Sequence, residues 1–337
     1  MEKARFKWVL RERNRKIAAK TEVFTEQQAR RVRSFHSSFK EYSPTPLIEL
    51  TSLAQHLGIK NLFVKDESYR FELNAFKVLG GSFAIGSYIA NELGEDIDDL
   101  PYMRLVSDEV RSLLGSKTFI TTTDGNHGRG VAWTANRLKQ QAIVYMPQGS
   151  AAERLANIRA EGAQAEITDM NYDDTVRYTS ELAQKNGWII VQDTAWDGYT
   201  RIPLWIMQGY MTMALEAYEQ LPVKPTHIFL QAGVGSLAGS VQGFFADIYG
   251  SSCPLTFIVE PKGADCLYQT AAANDGSLHS VTGRLETIMA GLACGEPNSI
   301  AWEILGNLSD GFISCPDYTA AQGTVSYTHL RAHETLA

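Results

Sequence analysis

The chain has 337 residues, 44% of them hydrophobic and 20% charged, enough apolar material for a sizeable core in one large or two closely associated domains. Its formal net charge of -7 argues against a nucleic-acid or anionic-membrane surface, which needs clustered positive charge. Four cysteines without a C-x-x-C pair are too few for a disulfide scaffold and suggest no zinc site, and no apolar run reaches membrane-spanning length, so a cytoplasmic enzyme is expected.

In chain order, the basic segment 3–20 lacks an apolar core segment and reads as a solvated arm or helix, fitting neither a signal nor a transit peptide. Short β-branched runs bounded by glycine, proline or charge predict strands at 61–65, 119–123, 142–146, 165–168, 189–192, 227–231 and 255–260. Asp96-Ile97-Asp98-Asp99, beside Pro101, marks a solvated loop at the edge of an inserted subdomain. Residues 151–161 carry Leu155 and Ile158 at helical spacing. After Pro203, Ile206, Met207, Tyr210, Met211 and Leu215 trace an apolar stripe whose methionines read as core filling. A further helix is expected over 236–249. The alternation of strand and helix predicts an α/β protein with mainly parallel, doubly wound sheets.

Three stretches carry the chemistry. Thr121-Thr122-Thr123-Asp124-Gly125-Asn126-His127-Gly128 joins a strand end to a helix through a loop that could hold a flat polar ligand. Asn74-Ala75-Phe76-Lys77 places a lysine among uncharged neighbours. A desolvated ammonium has a depressed pKa, as a Schiff-base lysine needs; the bland alternative is a snorkelling lysine at a helix start. Gly233-Val234-Gly235-Ser236-Leu237-Ala238-Gly239 sits between a strand and a helix, where backbone N–H groups face an anion. By itself this turn also fits a dinucleotide fingerprint, with Glu260 about twenty residues on as the ribose-binding acid. A nicotinamide enzyme would give Lys77 and the Asp124–Gly128 loop no joint task, whereas lysine, ring-holding loop and phosphate cradle together point to pyridoxal phosphate. His127 reads as a backbone brace and Asp193 as a strand-end or cap aspartate. His329-x-x-x-His333 puts two imidazoles on one helical face without an evident third ligand, so no metal is expected.

From the N-terminal arm to Gly323 the sequence resembles the diaminopropionate ammonia-lyases, pyridoxal-phosphate enzymes of fold type II, the tryptophan synthase β-subunit class. The resemblance rests on residues 74–81, 122–130, Gln192-Asp193-Thr194-Ala195-Trp196-Asp197-Gly198-Tyr199 and residues 288–297. It implies two intimately associated αβα domains with mainly parallel sheets. Residues 1–85 with 190–323 would form the large cofactor-binding domain, incomplete because the family's C-terminal part is missing, and 86–189 the small inserted one. It further implies a Schiff base at Lys77, Asn126 on the cofactor's ring hydroxyl, and the amides of Gly233, Val234, Gly235, Ser236 and Leu237 on its phosphate. Asp124 and Asp193 would lie near an amino-acid substrate, 2,3-diaminopropionate, which loses ammonia to give pyruvate. Lys77 would serve as base for the L form and Asp124 for the D form, with Asp193 holding the substrate's β-ammonium as an alternative role. Threonine and serine dehydratases of the class usually carry Ser or Ala where Asp124 stands. Cys266 and Cys294 resemble family positions at the site entrance that pair under oxidation, with buried free thiols as the alternative. The class is commonly dimeric. Residues 324–337 match nothing in the family, read as a non-native tail after a truncated frame, and are expected to lie outside the fold.

Overall fold

The computed structural model describes residues 6–12, 21–123 and 125–334. The strands are β1 (Lys7–Leu10), β2 (Leu47–Glu49), β3 (Phe63–Lys65), β4 (Thr118–Thr122), β5 (Gln141–Met146), β6 (Gln164–Ile167), β7 (Ile189–Ile190), β8 (His227–Gln231), β9 (Leu255–Pro261) and β10 (Gly311–Cys315). They form one sheet in the order β1-β10-β9-β8, a second in the order β6-β5-β4-β7, and the short pair β2-β3. Both four-stranded sheets are parallel apart from β1, which runs antiparallel to β10. The parallel strands require crossover helices, and the alternation of elements supplies them.

The helices are α1 (Glu26–Ser37), α2 (Thr51–Leu57), α3 (Lys77–Leu93), α4 (Tyr102–Leu105), α5 (Asp108–Leu114), α6 (Asn126–Arg137), α7 (Ala152–Ala160), α8 (Tyr172–Asn186), α9 (Arg201–Gln220), α10 (Ser236–Tyr249), α11 (Cys266–Ala273), α12 (Ser299–Leu308) and α13 (Asp317–Glu334). Helix α3 is the hub. Its 17 residues are buried almost continuously from Val78 to Ala90, as expected of a helix that is apolar all round. It packs on α6 of the second sheet's layer and on α9 of the first. The α3–α9 crossing is close enough to need glycine: a Cβ on Gly209 would lie 2.3 Å from the Leu79 carbonyl oxygen. On α9 the expected stripe is buried, Ile206, Met207, Tyr210, Met211 and Leu215 among it, in one contiguous core that spans both sheets.

Several expectations change. The N-terminal arm contributes β1, whose ladder with β10 runs from Lys7↔Ser314 to Leu10↔Gly311. Its charges hid a strand that pairs on one edge only. Strands β2 and β10 were not expected, the first because three residues show no alternation and the second because Gly311 and Ser314 break the apolar run. Strand β7 ends at Ile190 because Gln192 leaves the ladder, its Oε1 accepting from Thr121 Oγ1 and Thr122 N, both at 3.0 Å. The acidic run at 96–99 is a 3₁₀ turn capped by Asp96, with Arg31 paired to Asp96 and Asp98. Residues 324–334, expected outside the fold, continue α13, and Tyr327 Oη donates to Asp66 Oδ2 at 3.0 Å. Residues 335–337 lie outside the described residues. The outer edge of β8 exposes Phe229, 62% accessible. Among the described residues no helix is long and apolar enough to cross a membrane.

Candidate active site

Lys77 is the first residue of α3, so its side chain projects from the helix mouth rather than into the core. The turn that delivers it is strained. Phe71, Glu72 and Asn74 all have positive φ (50°, 60° and 58°), unusual for residues with a Cβ. What holds that turn is a buried ion network one step upstream. Arg70, fully buried, donates to Glu67 and to both carboxylate oxygens of Glu216 at 2.7–2.8 Å, and Lys65 pairs with Glu216 at 2.8 Å. Burial alone would raise the Glu216 carboxyl; Arg70 overrides it and holds it at about 2.

Asp193 arrives from the loop after β7. Tyr199 Oη donates to the Ile190 carbonyl at 3.0 Å and accepts from Gln192 N at 2.8 Å, Trp196 stacks on Tyr199, and Ser236 Oγ donates to the Asp193 carbonyl. This clamp sets the Asp193 carboxylate against Lys77 Nζ, which donates to Oδ2. Both groups are largely removed from water. Burial alone would push the Lys77 ammonium down, yet the Asp193 carboxylate outweighs it and holds the ammonium above its ordinary range. Reciprocally, burial would raise the Asp193 carboxyl, and Lys77 holds it at about 2. The depressed lysine expected from its uncharged neighbours is therefore corrected: the deciding charge comes from 116 residues away in sequence.

Facing this pair is the turn between β8 and α10. Gly235 has φ +101°, which favours glycine, and is the N-cap of α10, whose first-turn N–H groups have no partner within the helix and can meet an anion. A Cβ on Gly233 would lie 3.3 Å from both Cys294 Sγ and Leu292 Cα, so the narrow channel there suits a residue without a side chain. Lys77, Phe76, Asn126, Asp193 and the whole run Gly233–Leu237 line one cavity of about 160 Å³. An aromatic phosphate ester bearing an aldehyde fits these residues: amides for the phosphate, an amine for the carbonyl, an amide side chain for the ring hydroxyl. A neighbouring cavity of about 220 Å³ shares Val234 and Cys294 but is walled by Tyr172, Arg177 and Trp196, away from Lys77.

Asp124, expected near the substrate, lies outside the described residues. Asn126 opens α6 on the cavity wall. His127 Nε2 bonds the Val191 carbonyl at 2.8 Å, the bracing contact expected, and its Nδ1 stands 4.0 Å from Asp193 Oδ2. Asp193 is neither a cap nor a strand residue. Glu260, the ribose-binding acid of the dinucleotide reading, is fully buried, its two oxygens accepting from Leu267 N at 2.9 Å and Tyr268 N at 2.7 Å. Both oxygens are taken by the first turn of α11 within the core and neither is left for a ribose hydroxyl, so that reading falls. Cys266 and Cys294 stand on either side of Gly233 and are not joined by a disulfide. Among the described residues no group of three or more His, Cys, Asp or Glu is placed to hold a metal. Arg154, on the cavity wall beside Gly125, escaped the sequence reading because an arginine on an amphipathic helix gives no signal.

The family model for pyridoxal-phosphate dependent enzymes matches residues 39–330. The chain is 53% identical over 296 residues to a diaminopropionate ammonia-lyase of Salmonella typhimurium, covering 87% of this chain and 73% of that one. It is 52% identical over 305 residues to the Escherichia coli enzyme of the same name, covering 89% of this chain and 75% of the relative. The crystal structure of the Escherichia coli enzyme in complex with D-serine superposes with a TM-score of 0.86 at 49% identity, covering 94% of this chain and 78% of that one. With the lysine, the aspartate and the glycine cradle converging on one cavity, this chain belongs to the pyridoxal-phosphate dependent enzymes and, among them, to the diaminopropionate ammonia-lyase family.

Proposed function

We propose that this protein removes ammonia from 2,3-diaminopropionate, in its D and L forms, and that hydrolysis by one water then yields pyruvate and a second ammonia, with pyridoxal phosphate as cofactor. The observation that carries the reading is the Lys77–Asp193 pair facing the Gly233–Leu237 amides across one cavity. When bound, the cofactor supplies an electron sink that makes the substrate's α-proton acidic. The chain's own residues do the rest. The amides at 233–237 hold the phosphate, Asn126 meets the ring hydroxyl, and Lys77 anchors the carbonyl and takes the α-proton of the L form. Asp124 takes the α-proton from the opposite face for the D form. Asp193 keeps a proton on Lys77 Nζ in the resting site and turns its carboxylate toward the substrate's β-ammonium when Lys77 is engaged. A positioned base contributes roughly 10² to 10⁴ in rate.

The same reading takes residues 1–85 with 190–323 as the cofactor-binding unit and 86–189 as the inserted one. That β8–β10 fall in the first range and β4–β6 in the second supports it. It also takes the protein as a cytoplasmic homodimer, by analogy with its class; sedimentation at micromolar concentration reads the dimer directly. Borohydride reduction of protein equilibrated with pyridoxal phosphate, followed by peptide mapping, tests the anchor. A single modified peptide containing Lys77 is expected, and label on another lysine, or none, overturns the reading.

A further inference from the structure

Tyr210 presents a puzzle that the reaction outlined above does not absorb. It is fully buried on α9, and among the described residues its hydroxyl has no hydrogen-bond partner. Buried hydroxyls are normally paired, and a bare one costs stability that phenylalanine in the same space would not. The ring is fixed in place. Phe76 meets it edge-on at 5.2 Å, and a Cβ built on Gly80 would lie 2.9 Å from its Cζ. Gly80 is three residues after Lys77 on the same face of α3, so the phenol end lies along the turn that Lys77 opens. The hydroxyl feels both members of the ion pair: burial pushes the phenol above its usual range, Lys77 draws it down and Asp193 pushes it up.

Lys77 Nζ cannot serve the Asp193 carboxylate and a carbonyl carbon at once. When it turns to the cofactor, a buried carboxylate loses the ammonium bonded to it, and an uncompensated buried charge is strongly destabilising. His127 is a poor substitute. The Val191 carbonyl only accepts, so His127 Nε2 carries the proton and, in the neutral ring, Nδ1 is an acceptor. We propose that Tyr210 is a positioning residue whose hydroxyl donates to Asp193 once Lys77 withdraws, keeping that carboxylate ionised and aimed into the cavity. The inference rests on the cofactor reading above. No bond is made or broken in this exchange; one hydrogen-bond donor replaces another.

Tyr210→Phe removes one oxygen and tests the exchange in the full chain, with pyridoxal phosphate as the probe. The pH titration of the cofactor's visible absorbance is expected to move by about one unit, since loss of a hydrogen bond to a buried carboxylate shifts a neighbouring ionisation by that order. Turnover of L-2,3-diaminopropionate is expected to fall roughly 10- to 100-fold in kcat with KM within about twofold. The cofactor-free protein should melt within about 2 °C of wild type or above it, because no paired hydroxyl is lost. In an Asp193→Asn background the same substitution should add little. An unchanged titration and kcat, with Lys77 still trapped by borohydride, overturns this inference alone, as do fully additive effects of the two substitutions. A lower melting temperature with an unmoved titration assigns Tyr210 to packing and also overturns it. Failure to trap Lys77 in the wild type sinks the cofactor reading, and this inference with it.

Discussion

Removing the charge of Lys77 and of Asp193, separately and together, measures the interaction on which the site is built. The Asp193 carboxyl falls from an ordinary 3.8 to about 2, and at about 1.4 kcal/mol per pH unit this difference corresponds to about 2 kcal/mol of folding stability. The side chains are only 22% and 7% accessible, so solvent screening reduces this little. A double-mutant cycle of Lys77→Met, Asp193→Asn and the double variant, by urea denaturation of cofactor-free protein at pH 7, should give a favourable coupling of at least about 2 kcal/mol, since the depressed carboxyl is what remains after burial has opposed Lys77. Each single variant should cost more than the double variant implies by addition, because each leaves one buried charge unpaired. The sign with pH follows from the direction of each change. Asp193 is depressed, so its contribution is present above about pH 4 and is lost as pH falls through about 2. Lys77 is raised, so its contribution is complete below its unfolded value and is lost only as pH rises beyond it. The coupling should therefore be flat from about pH 5 to 9. A coupling below about 0.5 kcal/mol at pH 7, or one that halves between pH 5 and 9, refutes the argument.

Gly235→Ala forces a Cβ into a φ of +101° and within 3.2 Å of Leu267; a strain of about 1–3 kcal/mol should weaken pyridoxal phosphate binding roughly 5- to 150-fold by absorbance titration. Glu260→Ala leaves two N–H groups at the start of α11 unpaired, which should lower stability by about 2 kcal/mol or more and loosen the cofactor, while nicotinamide dinucleotide binding stays undetectable in both proteins. Asp124→Asn should reduce turnover of D-2,3-diaminopropionate by orders of magnitude more than that of the L form, and equal losses would assign Asp124 a binding role. Phe229→Lys, on the exposed edge of β8, should lower self-association in sedimentation without changing the melting temperature by more than a few degrees.

The parts of the fold legible in the sequence are those decided by local pattern. Strand β8 and helix α10 lie at the expected residues, because an apolar run followed by glycine and then a helical stripe leaves few alternatives. The parallel sheets follow from the strand–helix alternation. Elements decided by distant partners were not legible: β1 is a strand because β10 offers it an edge, and β7 stops early because Gln192 finds Thr121 and Thr122. The site divides in the same way. Lys77 and the glycine turn announce themselves through their neighbours. The charge state of Lys77 does not, since Asp193 and Tyr210 come to it from 193 and 210, through the clamp on the loop after β7 and the α3–α9 crossing. The misreading of Glu260 has the same origin: spacing suggested a ribose, while the N–H groups of α11 claim both oxygens.

Pyruvate release from 2,3-diaminopropionate by the wild-type chain and its Lys77→Ala variant, side by side with pyridoxal phosphate present, tests whether Lys77 and its cavity carry the elimination. Continuous release by the wild type, with the variant at the uncatalysed rate, is the predicted result. No release by a folded wild type that carries the cofactor on Lys77, or equal release by the two proteins, would contradict it.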